Sequence, residues 1–287
     1  MVFPEKGRTL CDEGAESGGS PSWEMAELPK EMLMTMAARS YYFRPGLPLV
    51  GGSDMDASVN IKDNEKVKTV VSAVILIWLV LVFVLGAAGS FVGVAGALPL
   101  PVAAGALIPV LVFLAAYWTI GSFRDFVMSF DLQFAAGLQA WRFAGLGFIA
   151  LYTYGVLPGM FAWPAGLGDM AIGITAVWVV LALRNRPEFA TGWIYRIWNL
   201  LGILDLAVAV STGGLSAYLG IGISETITTF PMAQMPLVLI PAFLVPLFAI
   251  LHLASLIQSW HLAAVGGRCV WVGSHIQCGP AESASRA

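Results

Sequence analysis

Six apolar runs, at 69–89, 101–121, 139–157, 164–183, 193–211 and 235–257, alternate with short polar connections along the chain. A run of about 20 residues, rising ~1.5 Å each as a helix, matches a hydrocarbon core roughly 30 Å thick. The pattern therefore predicts an all-α polytopic membrane bundle of about six transmembrane helices. Three alternate connections are rich in proline: Pro99 with Pro101, Pro158 with Pro164, and Pro231 with Pro236. Each returning helix is expected to open on a proline, whose missing N–H costs nothing in a first helical turn. The echo reads either as three tandem hairpins or as the preference of membrane turns for proline. Pro109, Pro241 and Pro246 fall inside spans, where proline kinks a helix. Gly145, Gly147, Gly155, Gly166, Gly168, Gly173 and Gly202 read as packing positions where helices approach closely.

Charge adds orientation. No Lys or Arg lies between Lys68 and Arg124, between Arg142 and Arg184, or between Arg196 and Arg268, so one set of connections carries no positive charge at all. An excess of Lys and Arg marks the cytoplasmic side, which predicts both termini cytoplasmic and a multi-pass protein of the inner (plasma) membrane. Trp118, Trp141, Trp193, Tyr195 and Trp260 are expected at one interface, and Tyr152, Tyr154 and Trp163 at the other.

The 287-residue chain is 58% hydrophobic and 11% charged, with a net charge of −3. A soluble domain carries about 25% charged residues, so soluble readings fall away. There is no basic patch for nucleic acid. Cys11, Cys269 and Cys278 have neither CxxC spacing nor a histidine cluster, so no metal site, disulfide framework or cofactor is read from them. Three segments are expected. Residues 1–60 form a disordered tail, or translation starts later, at Met36 or Met55. Residues 61–260 form the six-helix transmembrane domain, and 261–287 a flexible cytoplasmic tail.

Candidate chemistry lies in the ionisable residues within spans, which are costly there and ask for a partner or a purpose. Asp205 falls roughly 18 Å into the fifth span, and Asp169 roughly 8 Å into the fourth if that helix opens at Pro164. Those depths match from opposite ends. Tyr152 and Tyr154 are expected at a similar level, so Asp169, Asp205, Tyr152 and Tyr154 are read as one pocket for an ion, a proton or a small solute. Two carboxylates in low dielectric cannot both stay ionised cheaply, so such a pocket holds a proton or a cation. Plainer readings stand beside this: Asp169 as a helix N-cap, Asp205 as a packing device paired with Arg142, and Arg142 as an interfacial anchor. His252 is the one histidine in a span, and a b-type haem would need a second.

The stretch from Leu138-Gln139-Ala140-Trp141-Arg142 through Leu157-Pro158, Phe161-Ala162, Pro164-Ala165-Gly166 and Gly168-Asp169 resembles a pattern in uncharacterised bacterial integral membrane proteins. That resemblance implies a bacterial inner membrane and carries no assigned activity or functional residue. Three classes of function follow from the residues. The first is a small-solute or proton-coupled carrier or channel-like protein. The second is a non-catalytic accessory subunit that packs against partner helices. The third, an intramembrane enzyme acting on a lipid or quinone, lacks a nucleophile and base or a metal cluster in the sequence.

Overall fold

Hydrocarbon offers backbone N–H and C=O groups no water, so apolar runs of this length satisfy them internally, as helices. The computed structural model describes residues 54–93, 99–219, 227–266, 269–272 and 275–278. The tail expected over 1–60 lies outside the described residues as far as residue 53. Among the described residues, six helices are long and apolar enough to cross a membrane: Lys66–Ala87, Leu100–Thr119, Leu132–Thr153, Gly159–Asn185, Trp193–Leu219 and Ile240–Ala264. The all-α membrane bundle read from hydropathy is the fold. Beyond the sixth span, two short strands, Cys269–Val272 and His275–Cys278, pair antiparallel with Cys269 opposite Cys278.

The helix ends follow local chemistry. Gly89 and Gly155 have φ of 71° and 69°, in the left-handed region that glycine enters freely. At each, the residue after the glycine donates back across the last turn, Ser90 to Leu85 and Val156 to Leu151, while the glycine itself donates to Gly86 or Tyr152. This paired pattern closes the first and third spans. It ends the third at Thr153, where hydropathy alone would run on to 157.

Three further departures matter for the site. The third span begins at Leu132, because Asp131 caps it by accepting from the backbone N–H of Gln133 at 2.7 Å and Phe134 at 3.4 Å. The fourth opens after Pro158 at Gly159, and Pro164 sits inside it. A separate short helix, Gly121–Ser129, follows the second span and turns Phe123, Phe126 and Val127 onto Phe113 and Ala254. Gln258 of the sixth span holds the end of that helix, donating to the carbonyls of Val127 at 2.6 Å and Phe130 at 3.0 Å.

Two spans are not uniformly α-helical. The third tightens to a 3-10 helix over Gln139–Gly145, and the sixth opens with a π-helical turn, Ile240–Leu244, that contains Pro241. Irregularities of this kind are frequent at functional sites. Both border the site described next.

Candidate functional site

Correcting the helix starts moves three polar side chains to mid-membrane. Arg142 and Asp169 each lie about ten residues into their spans, roughly 15 Å deep, and Asp205 and His252 lie about twelve residues in, roughly 18 Å deep. The third and fifth spans run opposite to the fourth and sixth. All four side chains thus reach the centre of a ~30 Å core.

They meet on the guanidinium of Arg142, which is only 2% exposed. Its Nε donates to Asp169 Oδ1 at 2.7 Å, and Nη2 donates to Asp205 Oδ2. Nη1 faces two acceptors, the carbonyl of Gly202 at 3.3 Å and His252 Nε2 at 3.1 Å. Arginine has no acceptor, so Nε2 must offer its lone pair and Nδ1 must carry the ring proton. Asn199 agrees: its Nδ2 donates to the carbonyl of Tyr195 at 2.8 Å, which turns Oδ1 toward His252 Nδ1 at 2.9 Å. Each of these contacts pairs a donor with an acceptor in this order, with His252 neutral. The Trp198 ring packs edge-to-face with the imidazole, their centroids 5.3 Å apart, and Trp198 Nε1 donates to Thr175 Oγ1 at 2.9 Å.

Glycines make room for the cluster. A methyl group at Gly202 would overlap the His252 ring, one at Gly168 the Asp205 carboxylate, and one at Gly145 the Cβ of Asp169. One at Gly173 would strike the backbone between Arg142 and Phe143. The small residues read from sequence as packing positions thus seat the ionic groups on neighbouring helices. Gly147, with nothing near its missing side chain, has no such role.

A chamber of about 510 Å³ lies against this cluster. Its walls are apolar, including Phe148, Phe161, Leu206, Ile240 and Pro241, and Thr228 and Thr229 add hydroxyls at the end where the third span gives way to the fourth and the fifth to the sixth. Among the described residues, Asp169 is the one ionisable residue in the lining. Its side chain is 16% exposed, whereas that of Arg142 is wholly covered. Oδ1 of Asp169 is taken by Arg142, and Oδ2 accepts no hydrogen bond among the described residues. Chemically this is an apolar pocket with one open carboxylate oxygen, backed by a fixed positive charge.

Asp169 and Asp205 converge, through Arg142. Arg142 is no interfacial anchor, because a span starting at Leu132 buries it too deep to reach water. Asp169 is no N-cap, because the helix has already run about ten residues when it arrives. Tyr152 and Tyr154 do not join. Tyr152 is 41% exposed and packs its ring on Trp163, and Tyr154 is 82% exposed. Tyr195, expected at an interface, is fully buried. His252 and Asn199 were not expected at the site. Asn199, Gly202 and Asp205 follow one another at helical spacing, the one signal that Asn199 shares the face of Asp205. The His252 ring has both nitrogens engaged, which leaves neither for a haem iron.

No curated protein and no solved structure matches this chain. Residues 99–258, which hold the second to fifth spans and most of the sixth, match the family described as Domain of unknown function (DUF8737), and with more than half its length matched the chain belongs to that family.

Proposed function

We propose that the chain is a small-solute carrier whose solute enters the apolar chamber and is read by Asp169. One observation carries this reading: a cavity of about 510 Å³, within the size range of small-molecule sites, is lined at mid-membrane depth by Asp169, the one carboxylate of its described wall, with one oxygen left unpaired by Arg142. Ionisable groups at that depth characteristically serve substrate or ion paths. The π turn at Pro241 lines the cavity and the 3-10 turn carries Arg142, irregular backbone of a kind that membrane bundles tolerate where it is buried in protein or lines a cavity. The accessory-subunit reading gains less, because Gly145, Gly168, Gly173 and Gly202 are occupied by neighbours within the chain. The distribution of Lys and Arg supports the inner (plasma) membrane with both termini cytoplasmic.

Cysteine labelling tests the reading. With Cys11, Cys269 and Cys278 replaced, Ala209→Cys places a thiol in the chamber wall and Ala176→Cys places one in the buried core. A membrane-impermeant maleimide is expected to modify the first and spare the second, from one side of oriented vesicles. Failure to label Ala209→Cys from either side would mean a dry core and would sink the carrier reading.

A further inference from the structure

The charges around the chamber restrict its solute. Arg142 brings one positive charge, and Asp169 and Asp205 bring two negative ones. His252 is neutral in the hydrogen-bond order given above, and no other Lys, Arg or His pairs with either carboxylate among the described residues. The cluster therefore lacks one positive charge. Arg142 occupies one oxygen of each carboxylate, and of the two only Asp169 lines the chamber, so it is Asp169 that presents the deficit there.

On the carrier reading, we infer that the chamber takes an organic monocation, an apolar body bearing one ammonium group, with the ammonium docked on Asp169. The apolar walls at Phe148, Phe161, Leu206 and Ile240 suit the body, and the carboxylate suits the head. A bare metal cation is poorly served: hard cations take about six oxygen ligands, and among the described residues the side chains of the lining offer a single carboxylate and two threonines at its other end. An anion meets the wrong charge, and with a neutral apolar solute the deficit is met by a proton on a carboxylate and gives that solute no hold of its own. The ammonium supplies both the charge and the donors that the open oxygen lacks.

The test uses the full-length chain purified in detergent and two rigid probes of one shape, adamantylammonium and adamantanol. Thermal stabilisation is followed against probe concentration. The ammonium is expected to half-saturate at a concentration about tenfold lower or more, the effect of one charge-assisted hydrogen bond. Asp169→Asn should abolish the preference while keeping the response to adamantanol. Ala209→Phe, which fills the chamber one helical turn beyond Asp205, should abolish both responses and serves if the Asn variant does not fold. Equal responses in the wild type, or a preference for the ammonium that survives Ala209→Phe, would overturn the inference. If Ala209→Cys is labelled while the two probes behave alike, the cation class fails and the chamber reading stands. If Ala209→Cys stays unlabelled, the chamber reading has failed first.

Discussion

The first two spans and the last four are built on opposite terms. In the most apolar stretches of the first and second spans, 11% and 6% of residues are buried, against 33%, 33%, 22% and 50% in the third to sixth. Val74 and Leu76 in the first, and Leu111 and Val112 in the second, point outward with more than half their surface uncovered. Where the surroundings are lipid, an outward Val costs nothing, and helices gain little by hiding one. The last four spans instead trade hydrophobicity for an Arg, two Asp, a His and an Asn, which tie one helix to the next across glycine seats. Cohesion here comes from polar pairing and close approach, and apolar content measures only membrane affinity.

Substitutions ranked by expected effect probe that contrast. Arg142→Met leaves two carboxylates buried without their cation, and it should cost about 3–5 kcal/mol, enough to lose the folded protein in a detergent melt. Gly202→Ala drives a methyl into the His252 ring and Gly168→Ala drives one into Asp205; each should cost about 1–3 kcal/mol, seen as a lowered melting temperature. Asn199→Ala leaves His252 Nδ1–H without its acceptor, for about 1 kcal/mol in the same assay. Val74→Ala, facing lipid in the first span, should stay within about 0.5 kcal/mol. A Val74→Ala penalty equal to that of Gly202→Ala would erase the distinction between the two regions.

The bundle was readable in the sequence because hydrocarbon thickness imposes one length and Lys and Arg punctuate the connections. Asp169 and Asp205 were readable as a pair because depth along a helix is a matter of counting. The same counting misplaced Arg142. A start at residue 139, drawn where hydropathy rises, put it near the membrane surface, whereas the Asp131 cap carries the helix back to Leu132. Starting the fourth helix at Pro164 likewise hid how deep Asp169 lies. Tyr152 and Tyr154 were assigned by depth alone, and depth does not say which way a side chain faces. The 3-10 turn at Gln139–Gly145 shifts the helical phase in a way no periodicity records. His252 escaped because its partners come from the third and fifth spans, and nothing in its own neighbourhood announces them.

Arg142, Asp169 and Asp205 act as one ionic unit in a low-dielectric core. The most direct test compares thermal stability in detergent of Arg142→Met with that of the triple variant Arg142→Met, Asp169→Asn, Asp205→Asn. Removing the whole unit removes the uncompensated charge, so the triple variant should recover most of the stability that the single substitution loses. A triple variant less stable than Arg142→Met alone, with the three losses simply adding, would contradict the claim.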